Sequence, residues 1–259
     1  MFLIYKEKGS GFLNNRRKMI FREMLLAAAL VLVVAIGGRV LDGNEKKASK
    51  DVSDKTPKKE KNLETGKTQE TKTQEAQETI APGQYPIMGD SPVTREQMVR
   101  YYEDSGQIYP SEILGKGGAP DIGAFCQIYI EEAQAEGVRA EVAYVQAMKE
   151  TGWLQFGGDA KIEQYNFAGL GTTGAGTPGE SFQDVRTGVR AQIQHLKAYA
   201  SREELVNACA DTRYTYVARG SAPYVEWLGQ KENPTGAGWA TAEEYGVSIV
   251  RMIQMLRTY

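Results

Sequence analysis

Apolar and polar positions divide this chain into three unlike stretches. Residues 24–38 (MLLAAALVLVVAIGG) form an unbroken apolar run. From Asn44 to about residue 85, large apolar side chains nearly vanish, and Lys, Glu, Thr and Gln take their place. From Pro86 onward, apolar residues return at helical spacing. Residues 94–105 carry Met98, Val99 and Tyr102 on one face behind a capping Thr94. Residues 121–136 place Ile122, Phe125, Ile128, Tyr129 and Ala133 on one stripe, with Gly137 positioned to end the helix. A third helix, 140–151, runs up to Gly152, and a Gly-rich stretch without helical character covers about 157–182. Residues 184–200 restart a helix with Val185, Val189, Ile193, Leu196 and Ala200 inside; 203–210 and 242–256 read as two more. Strand alternation is missing throughout. The pattern predicts a mainly α domain with a small loop or β-hairpin lobe after the third helix.

Charge and burial capacity set the context of that domain. Arg16, Arg17, Lys18 and Arg22 precede the apolar run. Extended past Arg39 to Leu41, the run is long enough for a short membrane span, because an arginine there can snorkel. The basic cluster puts the N-terminal side in the cytoplasm. The expected layout is a cytoplasmic basic segment at 1–23, a transmembrane signal-anchor at 24–41, a disordered linker at 42–85 and a domain at 86–259. A cleaved signal, with release of the protein to the cell wall, is the alternative; both readings export the domain. The linker cannot offset its ordering entropy by burial. A flexible chain of that length spans about 35 Å.

From Pro86 the chain holds 15 Lys and Arg against 22 Asp and Glu, a net charge of −7. Nucleic acids and anionic headgroups are poor partners for such a domain, whereas an uncharged or mixed-charge polymer fits. The two cysteines, Cys126 and Cys209, suit one disulfide in an exported domain, with two separate buried thiols as the other reading.

The candidate chemistry starts at VQAMKETGW, residues 145–153. Glu150 falls in the last turn of the third helix, where the dipole disfavours a negative charge. Its wheel neighbours Ala143, Gln146 and Ala147 are small or neutral, and Trp153 and Phe156 can desolvate it. Both effects raise a carboxyl pKa, which suits a general acid. The competing reading is a solvated glutamate at a helix end, paired with Lys149 or Lys161.

The order E-T-G-W (150–153), Y-N-F-A-G-L-G (165–171), then S-F-x-D-V-x-x-G-V-x-A (181–191) and GWATAEEYGVSIVRMI (238–253) resembles the glucosaminidase domains of bacterial cell-wall hydrolases, of the glycoside hydrolase family 73 type. The resemblance runs from about Asp121 to the end of the chain. It implies a lysozyme-like helical fold and cleavage of the β-1,4 bond after N-acetylglucosamine in peptidoglycan, without a cofactor. Glu150 matches the family's catalytic glutamate. A second group is needed on the other face of the sugar: a nucleophile, a base for water or the substrate's acetamido group. By position Glu180 is the first candidate; Asp184 suits a helix cap better, and Glu163 suits solvent. Tyr245 matches a tyrosine near the family's cleft, with a role in orienting the acetamido group or a water. Trp153, Asn166, Phe167, Gly169, Tyr224 and Trp227 are candidate substrate-binding residues, with core packing as the alternative for each aromatic.

Two motifs do not carry function. GLGTTG (169–174) matches G-x-G-x-x-G, but no strand–helix–strand unit surrounds it, so a nucleotide site is excluded. His195 is the only histidine, which argues against a metal site, and a Ser-His-Asp site has little support. A muramidase or lytic transglycosylase on the same fold, and a non-catalytic glycan-binding domain, remain the alternative functions.

Overall fold

The computed structural model describes residues 80–172, 176 and 179–259. The expected membrane helix and nearly all of the expected linker lie outside the described residues. Six α-helices make up the described part: α1 (Arg95–Asp104), α2 (Ser111–Leu114), α3 (Ile122–Glu136), α4 (Ala140–Glu150), α5 (Val185–Ala200) and α6 (Tyr245–Leu256). Short 3-10 turns lie at Ile162–Gln164, Tyr214–Tyr216 and Val225–Leu228. Isolated bridges replace strands among the described residues, so the lobe after α4 is a loop there and not a hairpin.

Local chemistry explains the helix ends. Thr94 forms a capping box with Gln97 at the start of α1. Asp121 and Asp184 accept from the N–H groups of Ala124 and Thr187, capping α3 and α5. Asp184 is therefore a cap, as its position suggested. Gly137, at φ 71°, closes α3 in the left-handed region.

Two expected helices changed. Residues 203–210 are irregular because buried side chains take their backbone groups. Glu136 accepts the N–H groups of Val206 and Asn207 at 2.9 Å each, and Gln194 bonds Ala208 O and Ala210 N at 3.1 and 2.7 Å. The last helix begins at Tyr245 and not at 242. Glu244 stands at φ 54°, its N–H given to Glu232, while Ala240 exchanges backbone bonds with Leu228 and Gln230.

The core lies where α3 meets α1, α4 and α5, and where α4 meets α6. Helix α5 is buried on nearly all sides, polar residues Gln192, Gln194, His195 and Lys197 included. Each of these has a partner, as burial of a polar group demands: His195 Nδ1 sits 2.6 Å from Asp211, and Lys197 2.9 Å from Glu136. The segment ahead of α1 is woven in by backbone bonds. Ile87 pairs with Pro223 and Arg139, Val225 with Tyr85, and the Tyr85 hydroxyl donates to Glu141.

The expected disulfide is absent: Cys126 and Cys209 are both free. Cys126 is fully buried on α3, where burial pushes its thiol up to about 12, whereas Cys209 is exposed in the loop that Gln194 and Glu136 hold. Their helix and loop are secured by packing and hydrogen bonds in place of a cross-link.

Candidate active site

Glu150 is the last residue of α4, and the chain behind it turns sharply. Thr151 caps the helix, and Trp153 N–H bonds Met148 O at 2.8 Å, the six-to-one bond of a Schellman ending with Gly152 in the left-handed position. Gly152, Trp153 and Leu154 stand consecutively at φ 57°, 61° and 62°. Left-handed backbone costs a non-glycine residue about 1–2 kcal/mol. The turn is held by Thr151, whose hydroxyl donates to Ala147 O at 2.7 Å and accepts from Leu154 N–H at 2.9 Å, and by burial of Trp153 and Leu154. The terminus of α4 is thereby fixed, and the half-buried Glu150 with it.

Tyr245, the first residue of α6, donates its hydroxyl to Glu150 Oε1. Gln146, one turn earlier on α4, donates Nε2 to the Tyr245 oxygen at 3.1 Å. Lys149 lies with Nζ 5.6 Å from the centre of the Tyr245 ring. Burial pushes the Glu150 carboxyl above the usual carboxylate range; the Tyr245 hydrogen bond and the Lys149 charge pull it partly back. Burial lowers Lys149 and raises Tyr245 well above the ordinary phenol value. Desolvation is the leading cause of the shift at Glu150.

The other predicted residues divide by place. Asn166 is a buried strut of the lobe: it bonds Leu170 O and N at 2.8 and 2.9 Å and Glu180 O at 3.1 Å. Gly169, at φ 62°, lets that loop turn. Glu180 is half-buried, its backbone pinned by Leu170 O, Gln164 and Asn166, and it makes no hydrogen bond to Glu150. Trp153 and Phe167 are core residues, Trp153 against Tyr101 and Tyr102, Phe167 against Phe125 and Phe156. Their rings are occupied by packing, which leaves them no free face for a sugar. Tyr224 and Trp227 are half-buried and meet edge to face at 5.1 Å. Sequence reasoning treated Gln146 only as a neutral neighbour and missed Gln192 and Tyr129, which continue the hydrogen-bond chain behind Tyr245. A glutamine inside the apolar stripe of α5 was the available signal. Among the described residues no group of three or more His, Cys, Asp or Glu is arranged to hold a metal.

A carboxyl at a helix end, bonded by a tyrosine and raised by burial, suits an acid-assisted glycosidic cleavage. The family model described as mannosyl-glycoprotein endo-beta-N-acetylglucosaminidase matches residues 126–258, about half of the chain. The chain belongs to this glucosaminidase family, and its domain is that of a glycoside hydrolase. It is similar to an uncharacterized protein of Borreliella burgdorferi, 37% identical over 138 residues that make up 53% of this chain. The match spans 64% of that relative, less than two thirds of its length. No solved structure matches the chain.

Proposed function

We propose that the protein is an exported, membrane-tethered peptidoglycan hydrolase, an endo-β-N-acetylglucosaminidase that cleaves the β-1,4 bond after N-acetylglucosamine. The observation that carries this reading is the Glu150 carboxyl, held by Tyr245 and raised by burial. In the family context Glu150 is the general acid: its proton goes to the glycosidic oxygen as the bond to the anomeric carbon breaks. The acidic surface and the apolar run behind a basic cluster support an uncharged glycan target and a single-pass anchor with the domain outside.

Glu180 is the proposed second carboxylate. Its main chain is fixed by Leu170, Gln164 and Asn166, as a nucleophile or base requires. If the acetamido group of the substrate serves instead, Glu180→Gln retains turnover. Tyr224 and Trp227 are the proposed aromatic platform, because both are adjacent and only half-buried.

The test is product analysis of peptidoglycan digested by the full chain and by Glu150→Gln, with fragments reduced before mass spectrometry. New reducing ends on N-acetylglucosamine, lost in the variant, establish the proposed bond. Reducing or anhydro ends on muramic acid would assign a muramidase or transglycosylase. Binding without fragments would assign a glycan-binding domain.

A further inference from the structure

Behind Tyr245 the hydrogen bonds continue into the core in one direction. Tyr129 on α3 donates its hydroxyl to Gln192 Oε1 at 2.8 Å. Gln192 on α5 donates Nε2 to Ala143 O and to Gln146 Oε1, both at 2.9 Å. Gln146 donates Nε2 to the Tyr245 oxygen, and Tyr245 donates to Glu150. Tyr129, Gln192, Gln146 and Tyr245 are all buried.

The proton order of this chain follows from one atom. The carbonyl of Ala143 can only accept, so the Gln192 atom facing it must be the amide nitrogen. The second hydrogen of that nitrogen then requires an acceptor, which makes the facing atom of Gln146 its oxygen. Gln146 must therefore turn its nitrogen to Tyr245. A phenol that accepts this hydrogen is left to give its own to Glu150. Four side chains from four helices are thus locked in sequence by a single backbone carbonyl.

We propose that Gln192 and Gln146 are positioning residues that hold Tyr245 as a permanent donor to Glu150 Oε1, so that Oε2 is the oxygen that carries and delivers the catalytic proton. The inference rests on the assignment of Glu150 as general acid. Tyr245 is then an orienting donor to the acid itself, and the glutamines, which do not touch Glu150, act through it.

Two variants of Gln146 separate this role from simple packing. Gln146→Glu presents only acceptors when ionised, takes hydrogen bonds from both Gln192 and Tyr245, and draws the Tyr245 hydrogen away from Glu150. Gln146→Met loses more hydrogen bonds but leaves Glu150 as the acceptor for Tyr245. The positioning role moves the basic limb of the kcat profile up in Gln146→Glu and leaves it in place in Gln146→Met, where Tyr245 still donates to Glu150. Because Gln146→Glu also buries a charge that acts on Glu150 by itself, Gln146→Met carries the comparison. Gln192→Met, which adds no charge, unlocks the Gln146 amide and lets it rotate its oxygen toward Tyr245. Loss of the donor to the ionised carboxyl raises its pKa. The basic limb of the kcat profile on purified peptidoglycan should therefore move up by about one pH unit in Gln192→Met, with kcat about tenfold lower and KM little changed. Adding Gln146→Met to Gln192→Met should bring the limb back toward its original place.

Full-length variants are checked for folding by thermal unfolding, and the Gln146 and Gln192 arms each carry the test alone. An unmoved limb in a folded Gln192→Met, or a shifted limb in a folded Gln146→Met, overturns the proposal and leaves the acid assignment standing. Turnover retained in Glu150→Gln would overturn the assignment and the proposal together.

Discussion

The Tyr245 hydroxyl hydrogen-bonds the Glu150 carboxyl across 95 positions of chain, joining the first residue of α6 to the last residue of α4. The pair binds the two helices at the point where the chemistry is proposed. Several of its consequences are measurable.

Glu150→Gln should lower turnover by about 10²–10⁴-fold, the usual contribution of a general acid. It should also alter the pH dependence of stability. A free glutamate ionises at about 4.3, and in the fold Glu150 ionises at a higher pH. Between those values the native state holds a proton that the unfolded state has released, so ionisation of Glu150 destabilises the native state as pH rises. The glutamine variant escapes this loss. Its melting temperature relative to wild type should increase from pH 4 to pH 8; a difference that stays constant with pH would contradict the raised carboxyl.

Gly188 and Gly152 should fail for different reasons. A Cβ on Gly188 would lie 1.8 Å from the Tyr165 carbonyl oxygen, which is backbone and cannot rotate away. Gly188→Ala should cost about 1–3 kcal/mol or more by overpacking and should loosen the lobe from α5. Around Gly152 there is open space, but its φ of 57° is unfavourable to a side chain. Gly152→Ala should cost about 1 kcal/mol, and Gly152→Asn less. Denaturant unfolding of the three variants checks the ranking.

Glu136 should make the fold acid-sensitive. Burial pushes its carboxyl up, but the N–H groups of Val206 and Asn207, with Lys197 and Gln194, outweigh this and hold it below the usual range. Its stabilisation is complete above the ordinary carboxylate pKa of about 4.3 and is lost as pH falls through the lower native value. Glu136→Gln leaves Lys197 buried without its counter-charge, which should cost about 3–5 kcal/mol at neutral pH. The deficit should shrink in acid, as seen in melting curves from pH 7 to pH 3.

The thiols should behave independently. Cys209 is exposed and should react with a thiol reagent in the native state, while Cys126 should react only on unfolding. A reducing agent should leave the melting temperature unchanged. Two native thiols of equal reactivity, or a melting temperature that falls on reduction, would contradict the free pair.

The main elements were legible because they rest on local chemistry. The capping residues Thr94, Asp121 and Asp184 and the terminators Gly137 and Gly152 act within one or two turns of themselves, so the helices they bound were read close to their observed limits. Glu150 was legible for the same reason: a carboxyl at a helix end is a local anomaly. Residues 203–210 were misread because Glu136 of α3, about 70 positions away, and Gln194 of the preceding α5 capture their backbone groups. The candidate sugar platforms Trp153 and Phe167 were misread because an aromatic side chain looks the same in sequence whether its face meets a core or a ligand.

Sequence by itself determined the helical class, the acidic character of the domain, the position of the candidate acid and the family resemblance, all carried by spacing and residue type. The tertiary structure alone decided what surrounds that acid. It brought Tyr245 from the end of the chain, placed Gln192 beside the Ala143 carbonyl, and left Cys126 and Cys209 unpaired. The physical reason is that desolvation and the direction of a hydrogen bond depend on which groups are packed within about 3 Å, and those groups come from helices separated by tens of residues.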